Sequence, residues 1–459
     1  MNKKISLGAA ITITAIVATI VFSMTMLFSK QIFNAQISNI DIRQEEFDKL
    51  NQLDRIVTNN YINADQIQKQ TLLDSISAGY VAGIDDPYAQ YYTAEEYSSQ
   101  ESTYQGRRVG IGIAYRISKD GYPEITEVYP ASPAENVGLK PGDIITKIND
   151  IDTFTVSSDN VVASSEEALE QLTGDEGTKV KLMYRRTDPA TGSSTETDVE
   201  VTRAQLQIPT VYYKMLSNGN GLVRITNFYD NTPTQFAEAI KYLQGQGATG
   251  IIFDLRDNTG GTMDSVVQVL NTLVEDGTLL TIRYNDGTEE TRETSDTSSV
   301  DLPMVVITNK NTASSAEIFT QNLKDFGKAK TVGETTYGKG VMQQFFKLND
   351  GSAIRLTNAK LYTNSDTCVD GVGISPDYPV VLSQTDLETL NYILWDNRNA
   401  QNDSQLAKAI EFLETQKNAA STNTTPATPS APVETPVEPA TPVVPEEPTP
   451  AEPTPEVAE

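Results

Sequence analysis

Three short stretches hold residues whose types and spacing could do chemistry. "NKNTASSAEI", residues 309–318, sets Ser314 and Ser315 side by side ahead of a helical pattern. Serine there is a common helix cap, because its hydroxyl accepts from the orphan amides of the first turn. It is also a place where a hydrolase can present a nucleophile. An attacking serine needs a base, and the chain has no histidine. That excludes the serine–histidine–aspartate triad, imidazole metal sites and papain-like chemistry at the single Cys368, and leaves Lys, Asp, Glu or Tyr as base. "GETTYGKGVMQQ", residues 333–344, offers Lys339 between Gly338 and Gly340. It nearly matches a phosphate-binding loop, but Gly340 stands where the Mg²⁺-binding hydroxyl should be, which argues against nucleotide. The flanking glycines let the backbone turn tightly and another segment come close. "IIFDLRDNTGG", residues 251–261, is a buried-strand run closed by a Gly-Gly turn, whose amides can face a developing negative charge. Each stretch alone has an ordinary reading: a cap, a hairpin lysine, a strand-to-helix loop. Taken together they suggest more. A Lys339 desolvated near Ser314 has a lowered pKa, and its neutral amine can take the hydroxyl proton. The serine–lysine dyad is the histidine-free form of this chemistry.

The elements that must position these residues follow from pattern. The 459-residue chain carries a net charge of −27, which excludes nucleic acid as a partner because a run of phosphates would go unneutralised. Residues 1–30 read as a cytoplasmic end and transmembrane anchor. The run Ile5–Ser29 is uncharged and long enough to cross a bilayer, and Lys3 and Lys4 ahead of it place the N-terminus inside. Localisation is therefore expected at the cell membrane, single-pass, with the rest of the chain extracytoplasmic. Residues 37–104 form a helical region, with Phe47, Leu50, Leu53, Ile56 and Val57 on one stripe at helical spacing. A packing face is the better reading of that stripe; a homo-oligomer joined through it is the alternative. Residues 105–205 hold short β-rich runs and one helical stretch, a small α+β module. Residues 206–385 alternate strand and helix, which argues an α/β core with parallel pairing. Residues 386–416 carry a last amphipathic helix. Residues 417–459 are rich in Thr, Pro, Ala and Glu, cannot offset ordering entropy by burial, and are expected to be a disordered acidic tail.

Across roughly residues 40–412 the chain resembles the C-terminal processing peptidases, also called tail-specific proteases. The resemblance rests on Asn311–Ile318, on Gly333–Gly340, on Asp254–Gly261, on "GIDDPYAQYYTAEE", and on "DGSAIRLTNAKLYTNSD" with "GVGISPDYPV". It implies a multidomain α+β protein: an N-terminal transmembrane helix, a helical segment, a PDZ domain, an α/β (ClpP/crotonase-like) protease core and the tail. It further implies Ser314 as nucleophile, Lys339 as base, Gln343 as support for the lysine, and the N–H groups of Gly260 and Ser315 as oxyanion donors. "PASPAENVGLKPGDIITKIN" resembles a PDZ core segment, which makes Gly110, Ile111 and Gly112 its carboxylate-binding loop. The implied activity is a membrane-anchored serine endopeptidase acting without cofactor or metal. Its partners would be proteins or peptides with accessible C-termini. A catalytically inert, membrane-bound PDZ scaffold is the rival. Three positions depart from the family pattern: the Ser315-Ala316 order, Thr259 for the usual proline, and Thr173 where many relatives carry an arginine.

Overall fold

The computed structural model describes residues 47–156, 162–294 and 300–422, besides Met24 and Met26. Most of the run Ile5–Ser29 and the tail beyond Thr422 lie outside the described residues. Among the described residues no helix is long and apolar enough to cross a membrane.

The protease-like core is built on a six-stranded sheet. Val211–Met215 lies antiparallel to Gly221–Ile225; then Ile251–Asp254, Met304–Thr308, Ala329–Gly333 and Tyr378–Pro379 follow in parallel. This is the parallel pairing that the alternation of strands and helices predicts. Both sheet faces are covered, so the central strands read as continuous apolar runs. Alternate residues divide between the faces. Val223, Ile225, Phe253 and Val306 join one cluster with the helices Thr232–Gly245, Met263–Asn271 and Ser315–Asp325. Leu222, Ile252, Val305 and Ile307 meet Leu406, Ala409 and Leu413 of the helix Ser404–Thr422 on the other.

That last helix runs past residue 416, where the tail was expected to begin. Lys417 is held by the Asn220 side chain at 2.8 Å, and the two alanines that follow favour helix over coil. The helix is also pinned at its start by buried charge. Arg256 bonds Asp254 (2.6 Å) and Asp403 (2.7 Å), all three side chains being nearly inaccessible. Burial alone would raise the Asp254 carboxyl, but Arg256 holds it well below the usual carboxylate range.

A second, antiparallel sheet flanks the core, ordered Gln90–Tyr92, Ala353–Tyr362, Thr278–Tyr284, Glu289–Glu293, with Val341–Lys347 also on Ala353–Tyr362. The N-terminal region thus adds a strand to the core. Among the described residues its helices are 47–60, Lys69–Ala82 and Ala94–Tyr104. The stripe does not behave as a covered packing face among the described residues: Phe47 is 62% and Ile56 60% exposed. Periodicity shows that a face is apolar, and nothing among the described residues closes over this one.

The small module has its own core, including Ile125, Ile145, Ile148, Val180 and Leu182. Its sheet runs Ser194–Thr202, Lys179–Thr187, Ile144–Ile148, Pro123–Val128, Ile113–Ile117, which leaves Ile113–Ile117 at an edge. The strand pair Arg107–Gly110 and Ala204–Gln207 forms its base. A side-chain contact ties it to the core: the Tyr212 hydroxyl donates to Glu127 Oε2 at 2.7 Å.

Candidate active site

Ser314 is the cap of the helix Ser315–Asp325, with φ 58° and ψ −122°. A non-glycine residue rarely enters that region, and its surroundings must hold it there. Two loops do so. Ala313 N–H donates to Asn258 O at 2.9 Å, and the Thr312 hydroxyl donates to Leu255 O at 2.9 Å. Asp257 Oδ1 accepts from the side-chain amides of Asn309 and Asn311, each at 2.8 Å. The serine turn and the Asp254–Gly261 turn are therefore one cross-linked unit.

Glu317, one helical turn on, is fully buried. Its carboxylate accepts four hydrogen bonds. Ser314 N–H (2.9 Å) and Lys339 N–H (2.8 Å) reach Oε2; Gly338 N–H (2.7 Å) and the Thr336 hydroxyl (2.5 Å) reach Oε1. One carboxylate thus fixes the backbone of the serine and the backbone of the lysine together. The spacing Ser314-x-x-Glu317 is that of a capping box, so a signal existed in the sequence, but nothing in it announced the lysine loop as the second client.

The lysine loop follows the strand Ala329–Gly333 and leads into the strand Val341–Lys347. A phosphate-binding loop would lead into a helix, so that alternative loses its structural context. Gly340 is required by close approach: a Cβ there would lie 2.4 Å from Asp370 N. Ser314, Lys339, Gln343 and Gly260 all line one cleft of about 460 Å³. Burial pushes the Lys339 ammonium below the usual lysine range, and Arg355 adds to this, against Asp86 and Glu317. Its Nζ lies 4.6 Å from the centre of the Tyr88 ring. No hydrogen bond among the described residues joins that Nζ to Ser314 Oγ.

Two implied roles meet a different geometry. Gly260 packs directly on the serine turn: at φ +103°, a Cβ would sit 2.8 Å from Ser314 Cβ and 3.0 Å from Ser315 N. Its N–H, however, donates to Asn258 Oδ1 at 2.8 Å and is not offered to the cleft in this arrangement. Gln343 Nε2 donates to Thr357 Oγ1 at 3.2 Å, not to a group on Lys339. Ser315 is fully buried, and its hydroxyl donates to Gly261 O at 3.2 Å. As the first residue of its helix, its N–H has no acceptor in the helical ladder. Asn258 and Tyr88 lie within stretches that carry the resemblance, but nothing in the sequence gave either one a role.

In the small module, Gly110 pairs with Ala204. Ile111 O accepts from Ala134 N–H, and Gly112 O from Tyr129 N–H, each at 2.9 Å. The three residues stand at the head of the edge strand Ile113–Ile117. At the turn bearing Thr173, a guanidinium is present from elsewhere: Arg203 Nη2 donates to Gln171 O at 2.5 Å.

A PDZ-like module on an α/β core, with a strained serine and a desolvated lysine in one cleft, defines the class: a PDZ-bearing serine-type peptidase. The family model "Peptidase family S41" matches residues 219–380, and a PDZ domain model matches residues 124–186. The chain is 32% identical over 377 residues to the carboxy-terminal processing protease CtpA of Bacillus subtilis (strain 168), covering 82% of this chain and 77% of that protein. It is 29% identical over 400 residues to a probable CtpA-like serine protease of Staphylococcus aureus (strain MRSA252), covering 85% and 76%. Among solved structures, a putative S41 protease from Bacteroides fragilis NCTC 9343 shares the fold, with a TM-score of 0.53 at 18% identity over 80% of this chain and 97% of that one. The chain belongs to peptidase family S41, the C-terminal processing peptidases, and is a serine-type peptidase.

Proposed function

We propose that this peptidase cleaves protein tails with a Ser314–Lys339 dyad, recognising the free C-terminus through its PDZ domain while anchored to the membrane. The observation that carries the reading is the Glu317 carboxylate, which holds the Ser314 and Lys339 backbones on a single buried group. A substrate tail adds as a strand to the edge Ile113–Ile117, with its carboxylate at the loop Gly110, Ile111 and Gly112. The scissile bond then lies in the cleft. Ser314 Oγ attacks the carbonyl carbon as neutral Lys339 takes the hydroxyl proton. The oxyanion is held by Ser315 N–H and, once it leaves Asn258, by Gly260 N–H. Collapse expels the amine, which takes the proton from Lys339. Water, deprotonated by the same lysine, then releases the acyl group. Gln343 supports the lysine in the engaged state, which requires its side chain to turn from Thr357. The uncharged run Ile5–Ser29 supports an uncleaved anchor with the catalytic part outside the cytoplasm.

The test is cleavage of a peptide with a free apolar C-terminus by wild type, Ser314→Ala, Ser315→Ala and Lys339→Ala. Loss in the first and third substitutions, with the fold kept, is expected. Full activity in Lys339→Ala rejects the lysine as base, and loss in Ser315→Ala alone moves the nucleophile by one residue. Blocking the peptide's carboxylate as an amide should weaken KM; an unchanged KM removes the PDZ role.

A further inference from the structure

The surroundings of Lys339 are not completed by the core alone. The segment 85–92, which precedes the PDZ domain by a full helix, reaches the lysine from outside. It is fixed along the strand Ala353–Tyr362. Gln90–Tyr92 pairs with that strand, Asp86 Oδ2 accepts from Thr357 N–H at 3.2 Å, and Arg355 Nε donates to Tyr88 O at 3.1 Å. Asp86 Oδ1 also accepts from Tyr88 N–H at 2.9 Å. The result is a ring face 4.6 Å from Lys339 Nζ, while no hydrogen bond joins that Nζ to Ser314. Burial and the neighbouring Tyr337 hydroxyl push the Tyr88 phenol up to about 12, so it stays neutral and its face remains the relevant group.

We propose that Tyr88 is a positioning residue for Lys339: its ring face rests the lysine in the charged form and off Ser314 until substrate draws the amine across. The physical basis is selective. A ring quadrupole attracts an ammonium over its face and gives nothing comparable to a neutral amine. The ring therefore acts with Asp86, from its own loop, and Glu317, from the serine helix, to favour the cation. Burial and Arg355, from the neighbouring strand, oppose them. Asp370, from the segment after the strand Ala353–Tyr362, accepts from Gly340 N–H at 3.3 Å, and Glu334 lies on the lysine loop itself. Removing the ring tips the balance toward neutral amine. A cation–π contact of ordinary strength corresponds to a downward move of the lysine midpoint by about half a unit to one and a half units.

The inference rests on Lys339 being the base, so the test titrates the lysine directly as well as through activity. In a Ser314→Ala background, acetic anhydride labelling of Lys339 is followed across pH by peptide mapping in full-length protein carrying Tyr88, Tyr88→Phe or Tyr88→Leu. Tyr88→Leu is expected to lower the midpoint by the stated shift, and Tyr88→Phe, which keeps the face but loses the hydroxyl, to leave it in place. With Ser314 intact, the acid limb of kcat/KM for Tyr88→Leu moves down by the same amount, raising the rate on that limb about 3- to 30-fold. A midpoint that stays or rises in Tyr88→Leu overturns the proposal. Should that variant not fold, Tyr88→Trp decides: its stronger face should raise the midpoint, and no rise overturns the proposal. Retained activity in Lys339→Ala would reject the dyad, while the labelling titration still decides the part played by Tyr88.

Discussion

Replacing Glu317 by Gln changes one atom and should break the link between serine and lysine. The carboxylate takes four donors, two on each oxygen. An amide has one acceptor and one donor end, so two of the four donors must face an NH₂. The better orientation puts Nε2 toward Thr336 and Gly338, because the Thr336 hydroxyl can rotate to accept. Gly338 N–H is then left buried without its partner. An unsatisfied buried donor costs about 1–3 kcal/mol, and the two bonds that remain lose charge assistance, which roughly doubles such bonds. The sum is about 2–4 kcal/mol. If that appears as misplacement of the two reacting groups, kcat/KM falls roughly 30- to 1,000-fold at ~1.4 kcal/mol per decade. The assay is tail-peptide kinetics alongside thermal melting. Glu317→Gln should lower kcat far more than it raises KM, with a melting drop of about 4–16 °C for a domain of this size. A variant with kcat/KM within about threefold of wild type and an unchanged melting temperature would refute the reasoning, since the carboxylate would then be a cap and nothing more.

Three further outcomes follow from the same geometry. Gly260→Ala places a methyl 2.8 Å from Ser314 Cβ at a φ that side chains avoid, and should cut peptide turnover by a factor on the order of 10² or more with little change in secondary structure by circular dichroism. On the proposed dyad, in which neutral Lys339 is the base and burial lowers it from the usual lysine range, kcat/KM should rise with pH through that lowered midpoint and level off above it. A profile flat from neutral to alkaline pH contradicts this. Asp403→Ala removes two of the bonds to Arg256 but leaves Asp254, so a loss near the lower end of a broken buried pair, about 3 kcal/mol, is expected. That should lower the melting temperature by roughly 6–12 °C; no measurable drop would show that the last helix is not held by this network.

The parallel sheet could be read from the chain because its strands are buried on both faces, and "GIIFDLR" and "PMVVITN" are apolar without alternation. The serine, the lysine and the glycine turn could be singled out because each breaks its surroundings in residue type. Other features depend on distance in space, which spacing does not encode. Position alone offers Ser314 as nucleophile or cap, whereas its positive φ goes with bonds that Thr312, Ala313, Asn309 and Asn311 make to Leu255, Asn258 and Asp257 on another turn. Gly260 was expected to offer its amide, yet Asn258, two residues back, takes it. The spacing Ser314-x-x-Glu317 is a local pattern, whereas three of the four bonds to Glu317 come from residues beyond the next strand. The apolar stripe from Phe47 was visible as a stripe, but a period cannot say what covers it. Gly260 and Gln343 both point away from their implied partners, and Lys339 rests on Tyr88.

The central claim is that Ser314 is the nucleophile. A slowly hydrolysed ester of a short apolar acyl group, mixed with the enzyme at alkaline pH and acid-quenched, should leave one acyl group per chain. Peptide mapping by mass spectrometry should place it on Ser314, and it should be lost in Ser314→Ala and in Lys339→Ala. An acyl group mapped to Ser315, or retained in Ser314→Ala, would contradict the account.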